Sequence, residues 1–449
     1  MTVQFILFLI AQAVSDFGSA ASAAGLAVIW AGKGAPATEL AIMLATPAVP
    51  ALVVGPILGA LMEGTRLKRA LIAINVLLGL TSLAAIAALS LPQNQALLVL
   101  TGIFVLKALG QGAFNGAYNR AFRLLAPEGG ISGRAQATQT FSNRIGTAIG
   151  AAVGAFVALN AGSTVFLVDA ATFGVAALIV ARLPLGASAP ALAPAGQASR
   201  PPRRLGARAV SRDIAVAIRH ISGNARLVRV FALYAPLTLC WAAWDVLGAY
   251  LFNGVGAGTS FWMIVLAYQV GEIAAAAWLW VKKPKFNVVM LMTAAPLLSV
   301  ATLGSGLVVM SHGWLGLAGM MVIAVVLRLV TGVTANIGGG GAYALLVYAA
   351  PTDLTSRLSA LVESIGLGAM FGLAKLGVGL LSDAADPQVT FVVAGVVATA
   401  MALAVAALEF PAYVADKTAV RRLRVQAYLS LCESGNTVVA CRYYMAYVR

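Results

Sequence analysis

Six ionisable side chains sit inside long apolar runs: Asp16, Asp245 and Glu272, and Lys107, Arg328 and Lys375. A charge in such a run is costly unless it faces water or a partner, so by default it marks a pathway or a relay. The three acids are candidates for taking up and releasing a proton as their access to water changes. Lys107 and Arg328 are each followed eight residues later by an asparagine, Asn115 and Asn336. That is a little over two helical turns, so each cation shares nearly one helix face with its asparagine. Two cations lining one cavity would favour a carboxylate, catecholate or phosphate, and Trp241 and Trp244 would supply stacking area. The alternatives are static ion pairs between these acids and bases, and aromatic side chains placed at the membrane interface.

The elements that hold these residues are membrane spans. With 61% hydrophobic residues, 10% charged residues and a mean hydropathy of +0.91, the chain is not an ordinary soluble domain. The net charge of +15 sits in short connections between apolar runs, which reads as topology signal and lipid contact and excludes nucleic acid as a partner. Three cysteines imply no disulfide framework. No residue pattern points to a metal, a cofactor or covalent catalysis, so an enzyme is not expected.

Twelve runs of spanning length lie near 3–30, 39–62, 70–91, 96–119, 144–161, 164–183, 230–252, 260–281, 287–310, 314–346, 359–381 and 389–410. Alternation puts roughly 26 of the 30 basic residues on one side, Arg144 among them, and leaves Lys33 alone on the other. The positive-inside rule makes the basic side cytoplasmic, with both termini there. The expected organisation is an N-terminal six-helix bundle (1–185), a cytoplasmic linker with a basic amphipathic segment (186–229), a C-terminal six-helix bundle (230–410) and a cytoplasmic tail (411–449).

The two sixes carry matching landmarks. Gly116-Ala117-Tyr118, Ala126-Pro127, Arg134, Ser142 and Gly146, Gly150 and Gly154 run in the same order as Gly341-Ala342-Tyr343, Ala350-Pro351, Arg357, Ser364 and Gly366, Gly368 and Gly372. Duplicated six-helix halves are an architecture in which two bundles rock about a central site. Under that duplication Asp16 and Asp245 occupy equivalent helices and would face each other across the cavity.

Residues 55–69, GPILGALMEGTRLKR, resemble the loop signature of the major facilitator superfamily. Gly59 and Glu63 take its first places and Lys68 and Arg69 its basic cluster. Residues 114–155 resemble the branch of macrolide efflux proteins and enterobactin-type siderophore exporters. The resemblance implies an all-α polytopic fold of twelve transmembrane helices in two six-helix bundles. It also implies gating at the basic side by Gly59, Glu63, Arg66, Lys68, Arg69 and Arg120. The function expected is proton-coupled export of a small organic molecule, siderophore-like or otherwise anionic, by a monomer in the inner membrane. Multidrug efflux, metal-ion export and a non-transporting sensor or scaffold are the alternatives. The topology is testable: cysteines at 311–313 should label from outside and cysteines at 200–210 only from inside, and the opposite pattern would overturn it.

Overall fold

The computed structural model describes residues 2–48, 50, 67–125, 133–185, 215–216, 218–282, 288–343, 346, 362 and 368–433. The chain divides into two compact units, Met1–Ala402 and Leu403–Arg449. Among the described residues the helices that fall on the expected runs follow them in order, the second and the eleventh described over only part of their runs. They are α1 (Val3–Gly32), α2 (Ala37–Ala45), α3 (Leu67–Leu89), α4 (Gln93–Leu125), α5 (Gly133–Ala161) and α6 (Val165–Arg182), then α7 (Tyr234–Gly254), α8 (Phe261–Lys282), α9 (Val288–Met310), α10 (His312–Tyr343), α11 (Met370–Ala384) and α12 (Pro387–Glu433). A short helix, Ala225–Ala232, precedes α7. Among the described residues nine helical segments are long and apolar enough to cross a membrane, one of them the joined stretch Phe141–Arg182.

The helices have readable starts and stops. Thr2 caps α1, its hydroxyl accepting from the Phe5 amide at 3.3 Å. The chain then turns at Gly34 (φ +66°), a left-handed position that glycine adopts without steric cost, and Pro36 leads into α2. Lys33 donates to the Leu89 carbonyl at the end of α3 (3.1 Å), satisfying a helix-end acceptor. The Glu39 carboxylate accepts from Gln93 at the start of α4 (2.8 Å). These contacts gather the α1–α2 and α3–α4 connections on one face, called here the Lys33 face.

Between the halves, α2 and α11 meet at that face almost backbone to backbone. A Cβ on Gly379 would lie 2.5 Å from the Ala41 side chain and 3.0 Å from the Thr38 Cα. The Asp383 carboxylate at the end of α11 accepts from the first amides of α2, Ala37 at 2.9 Å and Thr38 at 3.1 Å. Those amides have no partner inside their own helix, and a carboxylate there also complements the helix dipole. Tyr250 of α7 donates to the Pro36 carbonyl (3.3 Å), adding a second tie between the halves.

Within the N-terminal half α1 lies along α5 because Gly146, Gly150 and Gly154 present no side chain to it. A Cβ at each would stand 2.1–2.3 Å from backbone atoms of Ala13, Phe17 and Ala21. Membrane helices gain association through such close approach, since lipid offers no hydrophobic driving force between them. The glycine landmarks of the two halves therefore do different work. Gly372 packs on Ala45 of α2 and on Ala48 just beyond it, across the halves, where its counterparts on α5 pack within one half. Gly366, the first of the three C-terminal glycine landmarks, lies outside the described residues. Gly150→Val should destabilise the protein by about 1–3 kcal/mol through overpacking. Thermal unfolding in detergent measures this, and an unchanged midpoint would mean that α1 and α5 are not in backbone contact.

Candidate functional site

A cavity of about 1150 Å³ lies between the two halves. Its wall runs from Phe261 near the Lys33 face to Tyr234, Leu279 and Gly340 near the opposite ends of α7, α8 and α10. Helices α1, α2 and α5 supply one side; α7, α8, α10 and α11 supply the other. The wall is largely alanine and aromatic, and its charges are Arg144, Arg328 and Lys375 against Asp245 and Glu272. Among the described residues of the wall three cations face two carboxylates, an excess of one positive charge.

The contact of α8 with α10 positions the polar groups. Gly271 and Gly332 interlock: a Cβ at Gly271 would stand 2.2 Å from the Leu329 carbonyl, and one at Gly332 2.0 Å from the Tyr268 carbonyl. At that separation the Asn336 amide donates to the Glu272 backbone carbonyl (3.0 Å). The Arg328 guanidinium lies between two rings, 3.9 Å from the Trp244 centroid and 4.1 Å from that of Tyr268. Its Nη1 donates to the Thr331 hydroxyl at 3.3 Å. Among the described residues no carboxylate lies within ion-pair distance of it. Stacking on two aromatic faces stabilises a desolvated guanidinium without neutralising it.

The other two cations are paired. Arg144 Nη1 of α5 donates to both Glu272 oxygens, at 3.0 and 3.2 Å, so this bridge joins the halves. Tyr268 donates its hydroxyl to the same Glu272 Oε1 at 3.2 Å. Glu272 is 4% exposed, and its buried charge is met by a cation and a hydroxyl. Lys375 pairs with Asp245 at 3.0 Å and lies 3.9 Å above the Phe371 ring. Asp245 keeps about half its side chain open to the cavity.

Several expectations change. Arg144 is not in a cytoplasmic loop: α5 begins at Gly133, eleven residues before it, and carries it into the cavity wall. Lys107 is not on the wall. It is bridged to Asp169 of α6, donates to Ser22 (3.2 Å) and lies over the Phe173 ring, with Ser82 also donating to Asp169 (2.8 Å). Lys107 and Arg328 thus do not share a cavity. Nor do Asp16 and Asp245 face each other, because Asp16 is off the wall. It accepts from Gln12 (2.8 Å) and stands within electrostatic reach of Arg144. Asn115 is exposed, accepts from Gln111 (3.2 Å) and is not part of the wall. Arg328, Asn336, Trp241, Trp244, Asp245 and Glu272 do come together. Lys68 and Arg69 begin α3, with Lys68 half-buried and Arg69 exposed. Gly59, Glu63, Arg66 and the Arg120 side chain lie outside the described residues.

Sequence reasoning missed Arg144, Asp169 and Tyr268. Asp169 lies in the middle of VFLVDAATF and met the same criterion as Asp16. Arg144 follows the polar stretch QATQTFSN, which disguises a helix as a loop.

The chain is similar in structure to the nucleoside transporter NupG (TM-score 0.66, 13% identity, covering 90% of this chain and 99% of that one). It is also similar to a D-xylose-proton symporter (0.63, 14%, 90% and 97%) and to a POT family transporter in complex with a thioalcohol conjugated peptide (0.63, 14%, 91% and 96%). No family model and no curated protein matches the sequence. The likeness shows the fold alone: all-α and multi-pass, of the major facilitator type.

The Lys107–Asp169 pair makes a separate prediction. Asp169→Leu leaves a buried unpaired ammonium and should cost about 3–5 kcal/mol, whereas Lys107→Met with Asp169→Leu should recover most of that. Thermal unfolding reports both. A double variant no more stable than the single one would refute a purely structural pair.

Proposed function

We propose that the chain is a secondary transporter that moves a small anionic organic molecule by alternating access, coupled to protons. The observation that carries this reading is Arg328: a cation held between Trp244 and Tyr268 in a cavity between the halves, with no carboxylate at ion-pair distance among the described residues. An anion would complete it, and the excess positive charge of the wall favours the same class of ligand. Arg144 and Lys375 are each paired with a carboxylate, while Asp245 and Glu272 act on Arg328 only from beyond ion-pair distance, so its charge can still attract a substrate anion.

The resemblance of residues 114–155 to macrolide and siderophore exporters favours outward movement, and a planar acid of the catecholate type fits the aromatic wall. The xylose neighbour is a proton symporter by its name, which supports protons as the coupling ion. Glu272 is the first candidate to carry the proton, because its charge ties the two halves together; Asp245 and Asp16 are the others. With the α2–α11 contact closed at the Lys33 face, the described cavity wall extends toward the opposite ends of α7, α8 and α10, on the basic side. We assign that side to the cytoplasm and the protein to the inner membrane, acting as a monomer.

Purified protein should bind 2,3-dihydroxybenzoate and bind its neutral amide more weakly. Arg328→Gln should weaken the acid by about 2–5 kcal/mol, the cost of removing one side of a buried charged contact, while changing the amide little. In proteoliposomes an imposed pH gradient should drive flux of the acid, and Glu272→Gln should abolish gradient dependence. Equal loss for acid and amide would refute the anion site, and gradient-driven flux through Glu272→Gln would remove Glu272 from coupling.

A further inference from the structure

We propose that Tyr268 is the positioning residue that ties occupancy of the Arg328 subsite to the Arg144–Glu272 bridge between the halves. The inference rests on the anion reading above and goes beyond it by naming the part that transmits binding. Tyr268 touches both ends. Its ring is one of the two faces that hold the Arg328 guanidinium, at 4.1 Å, and its hydroxyl donates at 3.2 Å to Glu272 Oε1, the oxygen that also receives Arg144 at 3.0 Å. Tyr268 and Glu272 stand four residues apart on α8, so their side chains share one face.

The ring has little freedom to adjust independently. The Tyr268 carbonyl is packed against Gly332 of α10, four residues beyond Arg328, so the backbone that carries the ring is fixed to the helix that carries the cation. Trp244 of α7 closes the other face of the guanidinium. An anion that draws Arg328 into the cavity pulls on the ring stacked against it, because the attraction between cation and ring persists in the bound state. The ring can follow only by swinging its hydroxyl away from Glu272, and that loosens the one described ion pair between the halves. Arg328, Glu272 and Arg144 are thus linked through a single side chain that carries no charge of its own.

Two substitutions separate the ring from the hydroxyl. Tyr268→Phe keeps the stacking face and removes the donor; Tyr268→Leu removes both. The probe is 2,3-dihydroxybenzoate, with affinity read by calorimetry and the separation of the halves by spin labels at Arg182→Cys and Lys282→Cys, both exposed positions on α6 and α8. In the wild type the probe should bind and shift the distance distribution. Tyr268→Phe should keep affinity within about threefold yet lose most of the shift and most of the maximal transport rate. Tyr268→Leu should lose about tenfold or more in affinity, as expected when a cation–π face is removed. The tie is overturned if Tyr268→Phe retains the full shift, if it loses as much affinity as Tyr268→Leu, or if the wild type binds without any shift. Failure of the wild type to bind the acid at all removes the anion site, and this role with it.

Discussion

An ionised side chain inside a bilayer must have a partner, and the arrangement of this protein follows from how it meets that requirement. Lys107 is joined to Asp169, Lys375 to Asp245 and Arg144 to Glu272. The three pairs differ in what they connect. The first lies within the N-terminal half, the second within the C-terminal half, and the third crosses between them. Arg328 departs from the pattern: its charge is held by two aromatic rings and a threonine hydroxyl. Aromatic faces lower the cost of desolvating a guanidinium without cancelling its field, so the site remains attractive to an anion.

That chemistry depends on backbone geometry supplied by glycine. Gly271 and Gly332 let α8 and α10 touch, which places Asn336 on the Glu272 carbonyl and Arg328 on the Tyr268 ring. Gly146, Gly150 and Gly154 set α5 against α1, and Arg144, two residues before the first of them, is carried on that fixed helix to Glu272. Small residues here do more than allow packing. They set the register in which charged groups of different helices meet.

The fold was largely legible in the sequence, because an apolar run near 20 residues has one use in a bilayer and the described helices follow the expected runs in order. The C-terminal share of the site was legible for a related reason: Asp245, Glu272 and Arg328 are charges in apolar surroundings, and Trp241, Trp244 and Asn336 fall on the same helices. The N-terminal share was not. Lys107 met the same criterion as Arg328, yet Asp169 neutralises it in the interior of its own half. A sequence shows that a charge is buried but not which way its helix is rotated. Arg144 escaped for the opposite reason, since its polar neighbours made a helix look like a loop. Tyr268 is an ordinary aromatic residue until the guanidinium beside it and the carboxylate one turn away are both in place.

Two different kinds of contact hold the halves together, and the difference bears on how such a protein can move. At the Lys33 face, the Asp383 carboxylate takes two backbone amides of α2 in a solvent-exposed setting, where exchange with water costs little; a cap of this kind is worth about 0.5–2 kcal/mol. In the cavity wall, Glu272 is almost fully buried, so separating it from Arg144 with both charged would strand a charge in a poor solvent. The outer contact can therefore open thermally, whereas the inner one needs a change of charge or a competing ligand. Under the proposed function a proton and an organic anion would be the two agents that supply those changes, and the Arg328–Tyr268–Glu272–Arg144 chain is where both would act.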